Sequence, residues 1–312
     1  MSARRLLAPW TYGFLAAAVL LLAIAAWAGV GSVGPTLSTA LAFGAISVLV
    51  GTGQMFVIAS GAGNIDLSVP AVLTLAAYLS MSAVAATGGL TLVGLVTAVV
   101  VGMVAGGLNY GAIRLLALPP IIATLAWSFV FQSLAFNLGG EATLKPPPAL
   151  SAFATMRLLG IQVMPLAVIG LSGVAAFVLG RVVWGRRLLA TGQSERAAHF
   201  AGMPVGRVRL VAYVVCGAAA GLAGFLLAGF TGGAALNMGD TYLLESIAIV
   251  ALGGTSVAGG QASAVGIWGA ALFFNLMGTM LNMLQIQAGA RFVAMGCLIV
   301  LIVAVVPRPQ AR

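Results

Sequence analysis

Ten apolar runs, each near the ~20 residues that an α-helix needs to cross a bilayer, fill this chain almost end to end. They lie near 10–32, 36–59, 68–87, 90–113, 120–138, 161–183, 208–230, 242–258, 262–284 and 291–306, with the eighth short and weak. Charge is correspondingly scarce, at 6% of 312 residues against 62% hydrophobic. A soluble fold of this size needs far more polar surface. The composition therefore excludes a soluble enzyme, a disordered chain and a nucleic-acid binder. The fold class is all-α: a polytopic transmembrane bundle of about ten spans (eight to ten), read as one membrane domain over 1–312. Arg4 and Arg5 before the first run, with Ala26-Trp27-Ala28 after it, have a signal-peptide look. The run from Trp10 to Val30 is long for a cleaved leader, and alanine is common throughout, so the first run is read as a retained helix.

Residue inventory narrows the chemistry. His199 is the sole histidine, and Cys216 and Cys297 both sit in apolar runs. A His-based metal site, a catalytic triad and a disulfide framework are not expected, and no metal or cofactor is assigned. Lys145 precedes three prolines and belongs to no G-x-x-x-x-G-K-[ST] loop. ATP chemistry, if used, must come from another chain.

The net charge of +9 then reads as a topological label. With both termini placed inside, Arg4, Arg5, Arg114, Arg181, Arg186, Arg187, Arg196, Arg207, Arg209, Arg308 and Arg312 lie inside, and Lys145, Arg157 and Arg291 lie outside. The positive-inside rule selects this orientation. It makes 139–160 an outside loop, stiffened by Pro146-Pro147-Pro148, and 184–209 the largest cytoplasmic segment. In the latter, Ser194 is expected to cap a short helix from Glu195 to Ala201, ended by Gly202 and Pro204. Arg186, Arg187, Glu195, Arg196, His199, Phe200, Gly202 and Met203 would face anionic lipid headgroups or a docked cytosolic partner.

Two glycine-rich interruptions break apolar runs. One is Ser60-Gly61-Ala62-Gly63-Asn64-Ile65-Asp66-Leu67-Ser68-Val69-Pro70, and the other runs from Gly253 to Gln261. Asp66 is the only acid before residue 140, and an ionisable residue at membrane depth marks a pathway by default. The alternative is a structural helix start, with Asp66 or Ser68 capping and Pro70 in the first turn. Broken helices in both halves of a chain point to a transport path, so Asn64, Asp66, Ser68, Gly253, Gly254, Thr255 and Ser256 are path candidates. Gln54, Asn109, Gln132, Asn137, Asn275 and Asn282 are further polar residues within spans, more readily explained by interhelical hydrogen bonds. Gly102/Gly106, Gly107/Gly111 and Gly217/Gly221 match G-x-x-x-G and are expected to pack helices.

These stretches carry a resemblance. Gly63-Asn64-Ile65-Asp66-Leu67-Ser68-Val69 is similar to the G-G-I-D-L-S-V-G of the permease subunits of ribose-type ATP-binding-cassette sugar importers, a group that includes branched-chain amino-acid permeases. Gly185-Arg186 with Ala190, Gly192, Ala197-Ala198 and Gly202-Met203 resembles that family's cytoplasmic loop. Ile247-Ala248 through Gly253-Gly254-Thr255-Ser256 to Gly259-Gly260 is the third match, and Leu118-Pro119-Pro120 through Thr124-Leu125 a weaker one. Asn64 and Pro70 stand where the family has glycines, so the local geometry there is expected to differ. The resemblance implies a sugar importer permease in the plasma (inner) membrane. Its partners would be a cassette ATPase subunit, a periplasmic substrate-binding protein, a second permease chain and membrane lipid, with no nucleic acid. It implies a coupling role for the 186–203 residues above and a docking role for Glu141, Lys145 and Arg157 toward the binding protein. Nucleosides and branched-chain amino acids are rival solutes within the family. A secondary transporter using Asp66 as its coupling carboxylate is the rival class.

Overall fold

The computed structural model describes residues 8, 10–139, 144–158 and 161–305. Arg4, Arg5, Arg308, Arg312 and Glu141 lie outside them. The elements run α1 (Thr11–Ala28), a 3-10 turn (Val30–Ser32), α2 (Val33–Ala59), α3 (Val69–Ala86), α4 (Thr91–Leu115), α5 (Pro120–Gly139) and α6 (Pro148–Thr155). A two-stranded antiparallel pair follows, β1 (Arg157–Leu158) with β2 (Ile161–Gln162). Then come α7 (Val163–Arg181), α8 (Val183–Gln193), α9 (Glu195–Phe200), α10 (Val205–Thr231), α11 (Tyr242–Leu252), α12 (Ala264–Met283) and α13 (Ala288–Val305). Among the described residues, eight helices are long and apolar enough to cross a membrane: α1 to α5, α7, α10 and α12. With α11 and α13, the helices occupy all ten apolar runs of the sequence.

The core forms where side chains are smallest. α2 is buried along nearly all of its second half, and α10 packs against α2, α3 and α4. The α4–α10 contact is backbone on backbone. A β-carbon on Gly102 would collide with the Gly217 carbonyl, one on Gly106 with the Tyr213 carbonyl, and one on Gly221 with the Ala98 carbonyl. With no hydrophobic gain between helices in lipid, such close approach is what holds them together. Two of the three glycine pairs do this. Gly107 and Gly111 do not: neither has an atom within 4 Å of an added β-carbon. They line an apolar groove with Leu108, Leu115, Trp127 and Val130. α1 is fastened by the same device, with Gly13 against Gly269 and Ala270 of α12.

The eighth run is the irregular one. α11 has only eleven residues, far short of a span. The chain leaves the end of α10 at Gly232 (φ +86°) and continues without helix through 233–241 before α11 begins. The Gln132 amide of α5 donates to the Leu236 carbonyl (3.0 Å), and Gly239 lies against the Pro70 carbonyl and Thr74 of α3. This run is thus a discontinuous span, a descent through successive turns followed by a half-helix.

Candidate functional site: the junction of both breaks with the α8–α9 loop

α8 and α9 meet at Ser194, at the end of the bundle that carries Arg114, Arg181, Arg186, Arg187, Arg196, Arg207 and Arg209. Ser194 joins them in extended conformation, and its hydroxyl accepts the Ala197 N–H at 3.2 Å, the expected N-cap. Gly202 takes φ +73°, which ends α9. The inner face of this helix pair is anchored by Leu188, Thr191, Gly192 and Ala198, all buried. Its outer face presents Arg186, Arg187, Glu195, Arg196, His199, Phe200 and Gly202, all exposed, with Met203 half-buried. Phe200 is the extreme case at 81% exposure, with the His199 ring 6.3 Å away.

The two glycine-rich breaks meet at this same place. The Gly260 N–H donates to the Ala59 carbonyl at the end of α2 (3.0 Å). Gly192 of α8 fits into that contact, because a β-carbon there would strike both the Ala59 carbonyl and the Gly260 nitrogen. Gly259, at φ +87°, presses against Gly61 and the Gly192 carbonyl. Only glycine combines that left-handed backbone with so close an approach. The Gln193 amide donates to the Gly260 carbonyl (3.4 Å). Arg209, in the first turns of α10, bridges Glu195 (2.7 Å) and donates to the Ser60 carbonyl (3.4 Å). A displacement of the α8–α9 loop must therefore be felt by both breaks.

Asp66 lies just above this junction, on the connection between α2 and α3, and is 2% exposed. One carboxylate oxygen accepts the Ser68 N–H (2.9 Å) and the Ser68 hydroxyl (2.7 Å). The Asn109 amide of α4 donates to both carboxylate oxygens (3.2 Å each) and to the Ser68 hydroxyl (2.6 Å). Burial raises the Asp66 carboxyl above the ordinary carboxylate range, and the bonds from Ser68 and Asn109 pull the other way. Ser68 is the residue before α3, and its side chain makes no cap bond to the helix. Pro70 falls in the first turn. Asn64 is also buried, its amide donating to the Gly61 carbonyl (3.2 Å) and its oxygen accepting from Tyr213 (3.4 Å).

In the second break, Gly253 ends α11 and Thr255 is buried, its hydroxyl accepting the Ser263 N–H (3.4 Å). Gly254 has φ +86°, and the Ser256 hydroxyl is a buried donor with no protein partner among the described residues. Lys145 and Arg157 are both exposed at the far end of the bundle, beside α6 and on β1. Of the polar residues within spans, Gln54 and Asn109 are buried, Gln132 holds the descending segment, and Asn137 and Asn282 are exposed.

Sequence reasoning missed Glu245. It sits in the first turn of α11, accepting from Ser47 of α2 (2.7 Å) and Asn275 of α12 (3.3 Å). It ties the half-helix to two complete spans. The signal was present as an acid within Tyr242-Leu243-Leu244-Glu245-Ser246-Ile247, and the rule that singled out Asp66 applies equally to it.

With Asp66 replaced by alanine, Ser68 and Asn109 keep buried donors without their acceptor. That costs about 1–3 kcal/mol per group. Asp66→Ala is expected to lower the unfolding temperature of the detergent-solubilised protein. Combined with Asn109→Ala it should cost less than the sum of the two, because both act on one cluster. Additive losses would separate the two residues.

The chain matches the family of branched-chain amino acid transport system permease components over residues 36–304. It belongs to that family, and so is a multi-pass membrane permease. Among similar proteins, the ribose import permease protein of Bacillus subtilis is 32% identical over 84% of this chain and 80% of its own length. An autoinducer 2 import system permease protein of Photorhabdus laumondii is 30% identical over 79% of this chain and 75% of its own. A probable ABC transporter permease protein of Sinorhizobium fredii is 30% identical over 78% and 73%. No solved structure matches the chain.

Proposed function

We propose that this chain, as one permease domain, forms half of the translocation pore of an ATP-binding-cassette importer for a sugar or a related small polyhydroxylated solute. The observation that carries the reading is the α8–α9 loop: an exposed aromatic and cationic knob clamped from behind to both glycine-rich breaks. The relatives named for ribose and autoinducer 2 import support the solute class. On this reading 184–209 is the coupling segment on the cytoplasmic side. Arg186, Arg187, Arg196, His199, Phe200 and Met203 seat in a separate ATPase subunit, and both termini are cytoplasmic. Residues 139–160 face the periplasm, where Lys145 and Arg157 receive a substrate-binding protein. ATP hydrolysis belongs to the ATPase subunit, and a second permease chain completes the pore.

Asp66, with its carboxylate occupied by Ser68 and Asn109, is then a positioning group for the start of α3 rather than a proton carrier. The test is reconstitution in liposomes with the cognate ATPase and binding protein. Uptake of labelled ribose or a related sugar should require ATP inside and all three components. Proton-driven uptake by the permease alone, abolished by Asp66→Asn, would overturn the reading in favour of a secondary transporter.

A further inference from the structure

Segment 234–241 is a run of turns between α10 and α11, and the contacts around it set its level in the bundle. Gln132, which bonds the Leu236 carbonyl, is twelve residues into α5. At ~1.5 Å per residue that is roughly 18 Å along a helix about 30 Å long. Gly239 lies at the level of Pro70 and Thr74 of α3. The residue just before α3, Ser68, faces Asn109, and α4 runs on from there to Leu115, a further ~9 Å. The far half of the span is α11, which takes the chain ~16 Å onward to the α8–α9 end. Residues 236–241 therefore sit in the middle of the bundle's height.

Three polar side chains of that mid-height segment, Asn237, Asp240 and Thr241, are exposed on the single chain. Their neighbours Gly239 and Tyr242 are buried, so the segment has one face against α3 and α5 and another turned outward. Irregular backbone at membrane depth is not tolerated against hydrocarbon, only inside protein or along water. An ionisable residue at such depth likewise faces the bundle interior or a water-filled cavity. Glu245, one turn into α11, pins the half-helix to α2 and α12 through Ser47 and Asn275, which holds this face in place.

Accepting the importer reading above, we infer that Asn237, Asp240 and Thr241 line the water-filled path at mid-membrane and form a transient contact site for a neutral polyhydroxylated solute. The chemistry suits hydroxyls. A carboxylate accepts from two neighbouring O–H groups, while an amide and a hydroxyl each both donate and accept. Asp240 also repels anions, so carboxylate and phosphate solutes are disfavoured. The path candidates at 64–68 and 253–256 lie nearer the α8–α9 end, beyond this contact site.

The test is water access, read on the full transporter in liposomes, in a Cys297→Ala background with the buried Cys216 kept. Asn237→Cys and Thr241→Cys are expected to react with a membrane-impermeant charged methanethiosulfonate within about tenfold of Thr87→Cys, an exposed control in the turn between α3 and α4. The lipid-facing control Val96→Cys should react at least ~100-fold more slowly, because modification requires a hydrated thiolate. The transported sugar at saturation should slow reaction at 237 and 241 at least about threefold while leaving Thr87→Cys unchanged. Reaction at 237 and 241 as slow as at Val96 would overturn the proposal and place this face against the second permease chain. Fast reaction unaffected by a sugar whose uptake has been demonstrated would overturn the contact site. Absence of any ATP-dependent sugar uptake, with fast labelling intact, would count against the importer reading and leave the aqueous face standing.

Discussion

Phe200→Ala is expected to cut ATP-driven uptake at least about tenfold while leaving the permease folded. The side chain is 81% exposed, so its loss removes almost nothing from the isolated chain. Exposed substitutions of this kind stay within about 0.5 kcal/mol of the parent. A partner groove changes the balance. An aromatic anchor filling a desolvated pocket costs about 2 kcal/mol or more when truncated, roughly 30-fold in affinity. Its neighbours are cationic, and Arg196→Ala is expected to act differently. It should slow association and weaken the salt dependence of assembly, as rim charges do. The measurement is ATPase co-purification together with uptake in liposomes. If the ATPase is retained at full yield and uptake continues at the parent rate, Phe200 is not the anchor. The transmission step has its own check in Gly192→Val, which would force α8 away from Ala59 and Gly260. That variant should bind the ATPase yet transport poorly.

How far the sequence could be read is clearest from these same residues. The α8–α9 knob was legible because its signals are local: Ser194 as cap, Glu195 in the first turn, Gly202 as stop, and arginines on one side of the membrane. The apolar runs gave the helices within a few residues for the same reason. The two breaks were legible as breaks, because glycine and small hydroxyls interrupt the runs. Their meeting with each other and with Gly192 was not, since residues 61, 192 and 259 are brought together only by packing. Asn109, the partner of Asp66, looked like any lone polar residue in a span until α4 placed it beside Ser68. Of the discontinuous eighth span only the half-helix was legible, as a short and weak apolar run, since nothing in composition distinguishes a loop at the surface from one that descends. Depth is a tertiary property, set here by Gln132, Pro70 and Thr74.

The three glycine pairs give the largest effect expected on folding, and a contrast within one motif. Gly102→Leu is expected to abolish or nearly abolish recovery of folded permease, and Gly107→Leu is expected to be tolerated, although they belong to adjacent repeats on one helix. At Gly102 the neighbour is the Gly217 backbone, which cannot rotate aside. Even modest overpacking in a yielding core costs about 1–3 kcal/mol, and a four-carbon side chain against backbone must push α4 from α10 over several turns. The contacts at Gly106 and Gly221 would open with it. Against a total stability of about 5–15 kcal/mol, that loss is decisive. Gly107 and Gly111 instead face an apolar groove of ≈ 450 Å³ between α4 and α5. A β-carbon at either position meets nothing within 4 Å, and the groove beyond leaves room for a longer side chain. Detergent-extracted yield and thermal unfolding of Gly102→Leu, Gly106→Leu, Gly107→Leu and Gly111→Leu separate the cases. A collapse at Gly107 equal to that at Gly102 would show that the groove seats another helix, and the α4–α5 face would then belong to an interface between permease chains instead of to lipid.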